Sequence, residues 1–589
     1  MGRKTMKKKW IIVLMALCMS FATVAFVGCG ENPPSNDDTN TEQNGDNGGN
    51  TQNGGNNQGG NQNNNQGGNN GGNVHTHIFD KQVTQDTYKA TNATCTTKAT
   101  YYYSCVCGAK GTATFEYGDF GTHNMVNGEC TVCYKKESQG LSYRLSNDNT
   151  YYIVTGIGTC TDTDLIVPSI YNGLPVKEIG NSAFFGCDSL TSVEIPNSVE
   201  TIGEGSFYEC TSLTSVEIGD NVTLIGKYAF RNCTSLTSVE IPDSVTSIGY
   251  GAFYECTSLT SVVIGDSVET IDEYAFSHCD SLTSVEIPDS VTSIGNYAFS
   301  HCDSLTSVEI PDSVTSIGNY AFSHCDSLTS VVIGDSVETI DEFAFSHCDS
   351  LTSVVIPDSV TSIGYAAFYN CSSLTSVVIG DSVETIGSFA FHYCYKLVEV
   401  VNKSPSITVE KGSRSNGWVG YYALAVYNSG DTFTTKLSND NGYIIYTNSE
   451  EKILVNYIGE ETDLTLPTYI TKIKENAFYN CSNLTSVVIG DSVQTIGDMA
   501  FYDCDNLTSV VLGDSVETIG YDAFYNCSSL TSVYYKGTAS DWNSISIRGS
   551  IYGNYNFNAT RYYYVENEAD VPTDGSNYWH YVDGVPTKW

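Results

Sequence analysis

A phenylalanine followed three residues later by a cysteine returns every 23 residues, ten times in register, from Phe184/Cys187 to Phe391/Cys394. A chain written this way is confined to a stack, a solenoid in which each unit buries its apolar face only against the next. The cysteine returns after a gap at Cys481, Cys504 and Cys527. Residues 277–299 and 300–322 are identical, so the array has grown by duplication, and likeness between units says little about selection for function.

Within the first unit Leu190, Val193, Ile195, Val199, Ile202 and Phe207 are apolar, and the residues between them are mostly Thr, Ser, Glu, Gly and Pro. Val193-Glu194-Ile195 alternates with period two, the pattern of a half-buried strand, and β-branched residues suit that state. A Pro-Asp, Pro-Asn or Gly-Asp step then turns the chain before a second short apolar pair. Only the segment around residues 181–184 has room for more than a turn of helix. The pattern therefore predicts a β-rich solenoid of about 13 coils of 23 residues, in two blocks.

The phrase Leu190-x-x-Val193-x-Ile195 resembles the strand of a leucine-rich repeat. More narrowly, units reading IGxxAFxxCxxLTSVxIPxSV over residues 143–404 and 461–535 resemble the BspA-like leucine-rich-repeat surface proteins of bacteria. That resemblance implies an α/β-type right-handed superhelix with a parallel β-sheet on its concave face. It also implies that this face binds a host or cell-surface partner, without naming it. One departure is that the buried Asn ladder of the ordinary repeat has no equivalent, the corresponding position being Ser198 and Ser in most later units.

Residues 1–29 have a basic start, an apolar run from Trp10 to Val27 and then Gly28-Cys29, as in a lipoprotein signal peptide. Phe26-Val27-Gly28-Cys29 resembles a lipobox, which makes Cys29 the expected lipidated residue; cleavage elsewhere or an uncleaved anchor is the alternative. Residues 30–73 are almost wholly Asn, Gly, Gln, Asp and Thr, a linker without core formers that is expected to be disordered. As a Gly-rich coil it spans roughly 35–40 Å on average. The net charge is −40, with 67 acidic against 27 basic residues, which excludes the basic footprint that nucleic acids require. No apolar stretch after residue 29 is long enough to cross a bilayer.

Thirteen of the 21 cysteines belong to the ladder. An unbroken inward row favours thiols packed as small hydrophobes over disulfides between neighbouring coils. A separate cluster fills residues 74–140, where His77, Cys95, Cys107, His123, Cys130 and Cys133 are candidate ligands of a structural zinc, with His75 and Cys105 nearby. Cys130-x-x-Cys133 has the spacing of half a zinc site, whereas Cys105-x-Cys107 is less regular; disulfides or free thiols are the other readings. No other cofactor is expected.

Three columns along the stack are candidates for function. The outward strand position holds Glu194, Glu217, Glu240, Val263, Glu286, Glu309, Val332, Val355 and Val378, so an acidic strip gives way to an apolar one, the expected ligand face. The turn carboxylates Asp220, Asp243, Asp266, Asp289, Asp312, Asp335, Asp358 and Asp381 are a thin supply for calcium, and hydrogen bonds to the turn backbone suit them better. His278, His301, His324 and His347 sit at an exterior turn that other coils fill with Glu or Asn, so duplication accounts for the row.

Residues 405–460 interrupt the period. There KLSNDNGYIIYTN echoes RLSNDNTYYIVTG of residues 144–156, and each echo precedes a repeat block, as a β-rich cap would. The expected order is block one with its cap (141–404), insertion (405–460), block two with a C-terminal cap (461–564) and tail (565–589), in which Trp579 and Tyr581 are candidates for stacking on carbohydrate. No nucleophile elbow, HExxH, P-loop or dinucleotide fingerprint is present, and repeated residues line a face where catalysis needs unlike groups at a point. The sequence thus reads as a monomeric, exported, lipid-anchored, non-enzymatic binding protein of the bacterial cell surface, an adhesin or ligand-capture module for a surface protein or glycan. An envelope spacer without ligand is the alternative, and an envelope hydrolase a minor one.

Overall fold

The computed structural model describes residues 89–91, 98–104, 110–120, 125–126, 128–130, 135–549 and 559–589. Cys29, the linker, and His75, His77, Cys95, Cys105, Cys107, His123 and Cys133 lie outside the described residues, as does the side chain of Cys130. The chain divides into two compact units. Residues 23–123 hold a three-stranded antiparallel sheet of Lys89–Thr91, Lys98–Ser104 and Lys110–Phe120, with Tyr101 buried.

The other unit is a parallel-strand solenoid of about 17 turns. Most coils give a four-residue strand to one ladder, shortened at Ser284–Val285 and Ser353–Val355 and interrupted just before the latter, and a two-residue strand to another. Ser192–Ile195 pairs with Ser215–Ile218 residue for residue, and Thr201–Ile202 with Leu224–Ile225, so the register between coils equals the sequence period. The count exceeds the expected 13 because coils without the Phe/Cys signature join the stack. Among these are Asp164–Ile166 at one end, Glu399–Asn402 and Ala425–Tyr427 in the middle, and Thr560–Tyr564 and Asn577–Val582 at the other end. Among the described residues the one α-helix is the four-residue Ala539–Trp542, opened by a Thr538/Asp541 capping box.

Each sequence column has one physical task. Phe207, Phe230, Phe253 and their successors are fully buried, with neighbouring rings parallel and 5.1–5.4 Å apart, and each contributes about 1.5–3 kcal/mol of burial. The ladder cysteines are free thiols. Each Sγ from Cys210 through Cys394 donates to the carbonyl of the Phe 26 residues earlier, at 3.1–3.4 Å. Burial pushes the Cys210 and Cys256 thiols up to about 12. In place of an Asn ladder, Ser244, Ser290, Ser313 and Ser359 donate to Val carbonyls of the preceding coil at 2.5–2.7 Å.

Two corners of a coil are left-handed. Tyr274, Tyr297 and Tyr320 have φ of +57° to +59°, and His278, His301 and His324 have φ of +58° to +59°. Non-glycine residues seldom adopt this region, yet here stacking holds them: Tyr297 lies 4.6 Å from both Tyr274 and Tyr320. At Gly265 the reason for glycine is space, since a Cβ would meet Pro242 O at 2.5 Å.

Antiparallel hairpins open both blocks. Ser142–Leu145 pairs with Tyr152–Gly156, and Leu437–Asp440, Tyr443–Thr447 and Lys452–Tyr457 form the corresponding meander of the second. A small cluster of Val398, Ala425, Leu437, Ile444, Tyr446, Ile453 and Val455 joins the blocks. Beside it the buried Lys396 Nζ donates to Asn456 Oδ1 at 2.7 Å, and burial lowers the lysine pKa. The tail closes the stack. Trp579 is fully buried and its Nε1 donates to Tyr535 O at 2.9 Å, so, contrary to the expectation, it has no face to offer a sugar.

Candidate binding cleft

Along the four-residue strands, alternation sends Val262 and Ile264 inward and Val263 outward, 52% exposed. The outward column is not uniform. Glu194 is buried and Glu217 half-buried; Glu240, Glu286 and Glu309 are exposed; Val332 and Val355 are half-buried, and Val378 is 7% exposed. The ladder places Glu309 beside Val332, and Val355 beside Val378 and then Val401, so the column ends in contiguous valines.

What covers those valines is the segment that breaks the period. Phe433, Thr435, Leu437, Ile444 and Ile458 stand over Val355, Val378 and Val401, and together they bound a cleft of about 720 Å³ including its open mouth. Its polar lining comes from Thr352, Ser353, Thr375, Ser376 and Glu399. Glu399 takes the column position of Ser376 in the next coil. It is 3% exposed, and its two carboxylate oxygens accept from Thr435 Oγ1 at 2.7 Å and Lys436 N at 2.9 Å. Burial raises its pKa, and the two hydrogen bonds partly oppose that rise. The carboxylate ties the insertion to the sheet at the wall of the cleft.

The sequence pointed to Val355 and Val378 but missed Glu399, Phe433, Ile444 and Ile458. The available signal was the loss of period itself, with the Ser-to-Glu change in column.

The other two columns are structural in this fold. Turn carboxylates accept from the next coil, Asp243 Oδ1 from Asp266 N at 2.9 Å and Asp312 Oδ1 from Asp335 N at 2.8 Å. The four histidines stack ring on ring at 4.3–4.5 Å. Burial, and then the neighbouring imidazole, lower the pKa of His301 and His324. Among the described residues no group of three or more His, Cys, Asp or Glu is placed to hold a metal, and no helix is long and apolar enough to cross a membrane.

The sequence matches the model of the BspA type leucine rich repeat region, in six copies, over residues 177–305, 269–398 and 456–562, more than half of the chain. Among solved structures, a leucine-rich repeat protein from Bacteroides ovatus is 25% identical, with 72% of this chain and 98% of that one covered and a TM-score of 0.43. The T. pallidum leucine rich repeat protein is 30% identical over 41% of this chain and 91% of its own, with a TM-score of 0.29. A leucine rich cell surface protein from Faecalibacterium prausnitzii is 24% identical over 71% and 99%, with a TM-score of 0.27. No curated protein matches the sequence. The 23-residue register, the buried Phe/Cys ladders and the extent of the family match lead to one conclusion: the chain belongs to the BspA-type leucine-rich-repeat family.

Proposed function

We propose that this is an exported binding protein of the bacterial cell surface that holds its partner on the four-residue-strand sheet, with the cleft over Val355 and Val378 as the anchoring pocket. The carrying observation is that cleft. There apolar residues from the sheet and from the insertion line one common open space, whereas Val263, 52% exposed on the same column, stands on the open sheet. Concave, mostly apolar hollows with a few fixed polar groups are where ligands settle. The family resemblance and the surface relative support display outside the cell, and Cys29 is the residue proposed to carry a lipid anchor.

The test is an array of glycans and matrix proteins probed with the lipid-free ectodomain and with its V355D/F433A variant. Retention of a ligand by the parent, lost at least tenfold in the variant with unchanged circular dichroism, is the expected result. Equal retention by both removes the cleft from the function, and no retained ligand at all favours the spacer reading.

A further inference from the structure

Resting on that reading, the geometry points to the chemical class of the partner: we infer that the sheet takes an extended cationic polypeptide whose bulky apolar side chain enters the cleft. Glu286 and Glu309 are exposed, and no ion pair engages either among the described residues. Glu309 stands beside Val332; strand pairing is then interrupted between Ser330–Ile333 and Ser353–Val355, and in the following coils the same sequence position holds Val355 and Val378, both in the cleft wall. Adjacent coils are about 4.8 Å apart, so Glu309 lies about 10 Å from Val355 and about 14 Å from Val378, the reach of about three to four residues of extended chain. Phenylalanine rings inside the same coils are 5.3 Å apart, which agrees with that step.

Charge and shape select the same partner. The chain carries 40 more negative than positive charges, and its outward column is acidic on one side of the cleft and apolar within it. An anionic ligand meets repulsion on the first part, and a ligand without an apolar group leaves the second unfilled. A polypeptide with Lys or Arg four residues from Phe or Leu satisfies both, and the serines that begin each strand, Ser307, Ser330 and Ser376 among them, provide hydroxyls along its backbone. Such a rim of charge acts mainly on association rate and on salt dependence, while the buried anchor sets the lifetime.

The experiment measures anisotropy of three fluorescein-labelled peptides on the soluble ectodomain. One has Lys-Lys, three small polar residues and Phe; the second replaces both lysines by Asp; the third replaces Phe by Ala. Expected are at least tenfold weaker binding of the second at low salt, a gap that narrows as salt rises, and at least tenfold weaker binding of the third at all salts. E286K/E309K is expected to reverse the preference between the first two peptides while leaving the fold intact, since both positions are exposed. Equal binding of the first two peptides overturns the inference, and so does failure of the first to bind at millimolar concentration. A neutral glycan that binds the parent and loses binding in V355D/F433A overturns it as well while leaving the anchoring cleft in place, so the two failures are distinguishable.

Discussion

The ladder thiols and the stacked imidazoles obey one rule of residue-scale chemistry, that a group removed from water resists charge. For the thiols this predicts inertness. Burial holds the Cys210 and Cys256 thiols near 12, so native protein at pH 8 should leave its buried ladder cysteines unmodified by iodoacetamide and expose them only in denaturant, as peptide mass mapping would register. For the histidines the sign runs the other way. His301 and His324 have folded pKa values below the unfolded value of about 6.5, so the unfolded chain binds more protons as pH drops. The histidine contribution is therefore present above about pH 6.5 and is lost as pH falls below it. Asp303 and Asp349, next to the row, have raised pKa values, so they favour the fold as pH falls from their folded values toward about 3.9 and oppose the histidine loss at its acid end. Melting temperature from pH 7.5 to 5 should decline in the parent and much less in H301N/H324N, because Asn tolerates the left-handed corner and already occupies it at Asn232 and Asn370.

At the scale of elements, coils were legible and their exceptions were not. Val193-Glu194-Ile195 announces a strand, and a 23-residue period leaves one register available, so Ser192 meets Ser215 and the core residues follow. Nothing periodic describes how residues 405–460 lie over Val378, because that contact depends on side chains with no repeat partner, such as Glu399 and Phe433. Trp579 misled for a related reason: a polar, aromatic tail reads as surface until it is seen to add a strand and cover the last coil. The junction between blocks gives a testable case. Lys396 is 7% exposed and Asn456 1%, so N456L strands an ammonium without its acceptor and should cost about 3 kcal/mol in chemical denaturation. The double variant K396M/N456L should recover most of that loss.

For the whole molecule, stability is distributed along the stack and accumulates from neighbour contacts. Residues 277–299 and 300–322 are identical, so deleting 300–322 rejoins Phe299 to Ser323 in a junction the chain already contains. That deletion should leave the circular dichroism spectrum unchanged and shift the melting temperature by only a few degrees, whereas removing half a unit should abolish cooperative melting. It also brings Glu286 into the place of Glu309, with Val263 behind it, so the cationic peptide should keep one carboxylate at the same spacing and lose only part of its charge preference, while the Phe-to-Ala difference persists.

Coil-to-coil hydrogen bonding has a mechanical corollary. Each coil is held mainly by the two beside it, so tension applied between the chain ends should peel coils from the stack in succession instead of rupturing one large core. Every coil set free supplies 23 residues, about 80 Å of contour, which makes the molecule an extensible tether that lengthens in even steps under load.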